Sequence, residues 1–170
     1  MAEAGILAED DRLELIEGAI VRMSPIGSRH AACVDRLNAL FMARLGKRTI
    51  VRVQNPIVIN RRSEPQPDLT ILKPRPDFYA ARHPEPRDVL LVVEVVDTSG
   101  VYDRSTKLPL YARAGIREAW IVDLLHSVVE VYCQPALQSF RVHRRMERGQ
   151  RIVPIAFPRA AFRVSDVLGS

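Results

Sequence analysis

Cysteine is nearly missing from this 170-residue chain: Cys33 and Cys133 are the whole complement, with no Cys-x-x-Cys spacing. That excludes a disulfide framework and suggests no thiolate zinc site. Long apolar runs are missing too, and nothing approaches the ~20 residues that span a bilayer. The start, Met1 to Asp10, lacks the basic residues and apolar stretch of a secretory signal. Repeats, low-complexity tracts and linker-like segments are absent as well. The expectation is a soluble, cytoplasmic protein with no membrane contact, folding as one domain over residues 1–170. With 47% apolar and 26% charged residues, the composition is that of an ordinary globular chain able to build a core.

Lysine is the scarce cation, at three residues against 22 arginines, and the net charge is +5. The surplus is uneven. Arg141 to Arg163 holds seven arginines and one acid, Glu147, so this stretch alone carries +6 and the remainder is nearly neutral. Such a stretch beside a balanced body reads either as a phosphate footprint, with Arg144, Arg145 and Arg148 at its centre, or as a solvated face of an arginine-rich chain.

Periodicity sorts the elements. Arg12 to Met23 places two short β-prone runs around Glu17-Gly18, a hairpin turn. Ala31, Val34, Leu37, Phe41 and Leu45 recur at helical spacing, predicting a helix from Ser28, as its cap, to a stop at Gly46. Strands are expected at 49–53, 56–59 and 68–72, then a proline-rich loop over 73–87. Asp88 to Val96 is almost continuously apolar and β-branched, the mark of a strand buried on both faces. A helix over 105–114 requires Pro109 in its first turn. Strands at 118–123 and 128–133 follow, the latter expected at a sheet edge, and then a less regular basic region. The fold class this implies is α+β, a central mixed sheet flanked by helices with an N-terminal hairpin.

Glu94 is the chemical anomaly, a carboxylate inside the most apolar strand. Burying it is costly unless it is paired, hydrogen-bonded or metal-bound. Asp68 opens another strand after Gln66-Pro67. If the two strands are neighbours, their acids converge at one sheet end, as a hard divalent cation such as Mg²⁺ requires. The alternative is that Glu94 pairs with a buried arginine and Asp68 merely begins a strand.

Pro67-Asp68, Glu94 in an apolar strand and Lys107 opening a helix together resemble the PD-(D/E)xK nuclease superfamily. More narrowly, the chain is similar to the Uma2 (DUF820) family of restriction endonuclease-like proteins. The resemblance runs from Leu13-Glu14-Leu15-Ile16-Glu17-Gly18 through His30, Gln66-Pro67-Asp68-Leu69, Val92-Val93-Glu94-Val95 and Tyr102 to Gly115, ending in Glu118-Ala119-Trp120-Ile121-Val122-Asp123. It implies a restriction-endonuclease-like core and a metal-dependent endonuclease acting on DNA. The metal, Mg²⁺ or Mn²⁺, would be held by Asp68, Glu94 and the Val95 carbonyl. Where the superfamily usually has its lysine, two residues beyond the second acid, this chain has Val96, and the resemblance implies that Lys107, on the following helix, takes the role. Glu17 and Gln54 are further candidates for the site, and His30 for phosphate contact. Asp103 and Tyr111, one turn either side of Lys107, are placed to orient it, whereas Trp120 reads as core. Asp97-Thr98-Ser99-Gly100 departs from the Ser-Pro-Ser-Thr common in the family. A homodimer is also implied. The competing class is a nuclease-fold protein that binds nucleic acid or a protein partner without cutting it.

Overall fold

A computed structural model of the chain describes residues 12–98 and 100–169. The expectations resting on Met1 to Asp10 and on Ser99 lie outside the described residues.

In β1 (Leu13–Ile16) alternation turns Glu14 and Ile16 to the buried side. β2 (Ala19–Arg22) returns antiparallel against it. Glu17 and Gly18 make the turn with φ of 53° and 92°. Two successive positive values are what a twist-matched two-residue hairpin turn demands. α1 (Ser28–Leu45) buries Val34, Leu37, Phe41 and Leu45 along one stripe and stops at Gly46. Ser28 is its first helical residue rather than its cap; Gly27 stands at the cap position, with no side-chain hydrogen bond there.

The main sheet comprises β3 (Ile50–Val53), β4 (Leu69–Leu72), β5 (Val89–Val96), β6 (Glu118–Asp123), β7 (Val128–Pro135) and β8 (Phe140–Met146), in chain order across the sheet. Only β5 and β6 run parallel. A parallel pair needs a crossover, supplied by a π-helical turn at Asp103–Lys107 that continues as α2 (Leu108–Arg113). A small ladder of β9 (Arg151–Ile152) with β10 (Phe162–Arg163), the short α3 (Val164–Leu168) and 3₁₀ turns at Gly46–Arg48 and Pro86–Asp88 complete the described elements. α1 and α3 pack on one face of the sheet, against Leu69, Ile71, Leu91, Val93, Val95, Trp120 and Val131. The other face, with Val92, Val96, Ala119 and Ile121, receives Leu108 and Tyr111 from the crossover. This is an α+β protein with a mixed sheet, flanking helices and an N-terminal hairpin.

Three local expectations are corrected. Residues 56–59 are not a strand: Pro56 has no N–H, and the chain leaves β3 through Gln54 at a φ of 50°. The N–H groups of Ile57 and Ile59 donate to Pro65 and Ser63 on one returning segment, while that of Val58 donates to Pro84, so no regular strand ladder forms. The crossover is helical from Val101, ahead of Ser105, and the wide π turn lets Pro109 follow inside a continuous helical run. Val128 to Cys133 is not an edge, because Phe140–Met146, within the stretch expected to be irregular, pairs along it.

Candidate functional site

β4 stops pairing with β5 at Leu69 opposite Val93, yet β5 runs on to Val96. Beyond that point β5 meets the Asp68 side chain instead of a strand: the Val95 N–H donates to Asp68 Oδ2 at 2.8 Å. Amide and carbonyl of one strand residue point the same way, so the Val95 carbonyl also lies on the Asp68 side. Glu94, alternating with Val92 and Val96, faces the crossover, and its Oε2 is 3.4 Å from the Asp68 backbone nitrogen. The structure thus brings Asp68 and Glu94 together at one end of two adjacent strands.

The crossover delivers the cation. Lys107, in the π turn, is 4% exposed, with Nζ 2.9 Å from Glu14 Oε1, 3.3 Å from Glu94 Oε1 and 3.8 Å from Asp103 Oδ1. Tyr111, one turn on and fully buried, donates its hydroxyl to Glu94 Oε1 at 2.5 Å. Glu14 arrives on the hairpin, which is docked through Gln66: the Gln66 N–H donates to Glu14 Oε1 at 2.7 Å and its side-chain amide to the Leu13 carbonyl at 2.8 Å. Glu14 is the member of the cluster that sequence reasoning missed. Its signal was alternation, since it shares the buried face of β1 with Ile16.

The electrostatics follow from this crowding. Burial pushes the Glu94 pKa well above the usual carboxylate range; Lys107 opposes this, and Asp103, Asp68 and Glu14 reinforce it. Asp103 is raised by burial, against the pull of Lys107, with help from Asp68 and Glu14. Burial would lower the Lys107 pKa, but Glu94, Glu14 and Asp103 outweigh it and hold the ammonium charged. Burial would also raise Asp68. Its hydrogen bond and charge interaction with His30, the Val95 amide and Gln54 overcome that and leave it below its ordinary value. Tyr111, raised by burial and by Glu94, stays a neutral donor.

Gln54 joins the site: its amide donates to Asp68 Oδ1 at 3.1 Å. His30, in the first turn of α1, places Nε2 3.0 Å from Asp68 Oδ2. The hydrogen bond to Asp68 raises the His30 pKa despite burial, and its Nδ1 is buried with no protein partner. Glu17 does not join the acid cluster; it is exposed at the hairpin tip and ion-paired with Arg113. Arg144 and Arg145 are exposed on β8, three strand spacings from β5, or about 14 Å. Arg148 lies beyond β8 and donates to the Gly169 carbonyl at 2.7 Å. Trp120 is core, fully buried with its indole N–H donating to Glu118.

Among the described residues no three His, Cys, Asp or Glu side chains are disposed as they stand to hold an ion. The acids are turned to protein donors. The donor chemistry nevertheless fits a hard cation: oxygen ligands from Asp68, Glu94 and the Val95 carbonyl. Four carboxylates, of Glu14, Asp68, Glu94 and Asp103, share one ammonium and one imidazole. That excess of negative charge is what an added cation relieves.

A mixed sheet with two acids at the open end of adjacent central strands and a lysine from the crossover defines a restriction-endonuclease-like fold. The Uma2 family model, described as "Putative restriction endonuclease", matches residues 3–164, and the chain belongs to the Uma2 family. The crystal structure of "a putative nuclease belonging to DUF820 from Anabaena variabilis" superposes with a TM-score of 0.75 at 14% identity, covering 98% of this chain and 94% of that one. At that identity the likeness speaks to the fold. Comparison with curated proteins finds no match. Among the described residues no helix is long and apolar enough to cross a membrane.

Proposed function

We propose that this chain is a metal-dependent endonuclease that hydrolyses phosphodiester bonds in DNA. The observation that carries the reading is the meeting of Asp68, Glu94 and Lys107 where β5 outruns β4, in a chain of the Uma2 family. Asp68, Glu94 and the Val95 carbonyl would hold Mg²⁺ or Mn²⁺, which when bound supplies Lewis-acid polarisation of a phosphate oxygen and of water.

The chain's own groups have separable tasks. Lys107, kept charged by three carboxylates, offers a fixed positive charge to a phosphate whose negative charge grows during attack. Glu14 and Asp103 position that ammonium. Tyr111 pins one Glu94 oxygen, leaving Oε2 directed toward Asp68. His30 and Gln54 orient the Asp68 carboxylate from opposite sides. Arg144 and Arg145 would add outer contacts to the backbone of a longer duplex. Cutting both strands with one site per chain calls for two copies, so the proposal includes a homodimer.

A second reading, a nuclease-fold protein that binds without cutting, draws on the protein donors already spent on Asp68. Calorimetric titration of Mn²⁺ into the wild type, Asp68→Asn and Glu94→Gln separates the two. One site in the wild type, lost in both variants, with DNA cleavage only in added metal, supports the enzyme. A wild type that binds no Mn²⁺ and leaves DNA intact supports the binder.

A further inference from the structure

A cavity of about 590 Å³ opens beside the acid cluster, lined by Glu17, Asn60, Arg62, Ser63, Leu110 and Arg113 among others. Two elements lead from the cluster into it. β1 runs from Glu14 to the Glu17 turn, three residues or about 10 Å along a strand. The crossover runs from Lys107 to Arg113, six residues or about 9 Å along a helix. Both guanidiniums in the lining are held by one residue: Arg113 pairs with the Glu17 carboxylate, and Arg62 donates Nη2 to the Glu17 carbonyl at 2.6 Å.

The mount is rigid. Ser63 Oγ accepts from the Glu17 N–H at 3.0 Å, and the Gly18 N–H donates to the Arg62 carbonyl at 2.8 Å. Arg62 lies so close over Gly18 that a Cβ there would stand 3.0 Å from Nη2, and the φ of 92° at residue 18 also favours glycine.

From this geometry we infer that the cavity is a subsite for a backbone phosphate of the nucleic-acid strand, flanking the phosphate at the acid cluster, with Glu17 as the resident carboxylate that the phosphate displaces. The inference rests on the nuclease reading and deepens it. Guanidinium forks match carboxylate and phosphate oxygens alike, so a carboxylate on Arg113 marks where a phosphate fits. The spacing also suits a strand, which advances about 3.4 Å of axis per phosphate and so spans 9–10 Å in about three nucleotides. Glu17 is then a gate on substrate affinity rather than part of the acid cluster.

The test is fluorescence anisotropy of a short fluorescein-labelled single-stranded oligodeoxynucleotide with the full chain in EDTA, where neither metal nor cutting contributes. Glu17→Gln removes the competing charge and should tighten binding about two- to fivefold, the scale of an exposed ion pair. Arg62→Gln with Arg113→Gln should weaken binding and flatten the slope of log K against log salt by about 0.7, the value for one single-strand phosphate. Glu17→Gln keeps both arginines, so it tests the subsite even if the double variant does not fold. Unchanged affinity in Glu17→Gln, or an unchanged slope in a folded double variant, overturns the subsite while leaving nucleic-acid binding intact. A wild type that binds no oligonucleotide in EDTA overturns the subsite, whereas an absence of DNA cleavage in added Mn²⁺ is what overturns the nuclease reading. Saturation of the cavity by a mononucleotide at micromolar concentration would overturn the assignment to a strand.

Discussion

Replacing Lys107 with methionine keeps most of the aliphatic stem and removes the ammonium that Glu14, Glu94 and Asp103 share at 2.9, 3.3 and 3.8 Å. Breaking a buried pair from one side costs about 3–5 kcal/mol, because the partner charge is left without compensation. For a chain of this length each kcal/mol moves Tm by about 2–4 °C, so the variant should melt roughly 6–20 °C lower at neutral pH. The pH dependence carries the sharper test. Glu94 and Asp103 already sit above the usual carboxylate range because of burial, and Lys107 is what restrains them. A group whose folded pKa is raised contributes stability below its unfolded value and loses it as pH rises through the folded one. Without Lys107 the acids take up protons more readily, so the deficit should be small in acid and grow toward neutrality. Thermal unfolding followed by circular dichroism in EDTA, from acid to neutral pH, measures both effects. A Tm within about 2 °C of wild type at neutral pH, or a deficit that does not change with pH, would refute the charge-sharing account.

Arg104 ties the π turn to the sheet, with Nη2 2.6 Å from Asp123 and Nε 3.0 Å from Glu130. Burial would raise both acids, but His126 and Arg104 hold Asp123 low, and Arg104 and Tyr132 hold Glu130 low. Depressed carboxylates stabilise above their unfolded pKa and lose that contribution as pH falls through the folded value. Arg104→Met should therefore cost about 3 kcal/mol at neutral pH, with the gap closing in acid on denaturant titration; a constant gap would contradict this. Arg144→Gln with Arg145→Gln should flatten the duplex salt slope by up to about 1.8, at 0.9 per phosphate, with Mn²⁺ binding intact; an unchanged slope would make both arginines solvated surface. The homodimer is tested by light scattering, and a monomer at high micromolar concentration would count against it.

The parts of the molecule legible in the sequence are those set by near neighbours along the chain. The stripe of Val34, Leu37, Phe41 and Leu45 specifies α1 because a helix repeats every 3.6 residues. The Glu17-Gly18 turn is legible because few residue pairs tolerate two positive φ values, and β5 because its apolar run admits only a strand covered on both faces. Glu94 stood out within that run for the same reason.

Local pattern therefore accounts for the identity of these elements and for the oddity of a carboxylate buried in one of them. Which groups meet depends on packing between elements. Glu14 and Glu17 are three residues apart on one hairpin, and only docking of that hairpin against Glu64 and Gln66 sends the first into the acid cluster and the second to a cavity with Arg113. Pro56 to Ile59 has strand composition, but its amides divide between the nearby Ser63–Pro65 segment and the more distant Pro84. Cover for β7 comes from β8, which composition marked only as basic. The docking of the hairpin on Gln66 and the Val58 bond to Pro84 depend on hydrogen bonds between segments far apart in the chain, and a local pattern of residue types carries no record of which partner completes them.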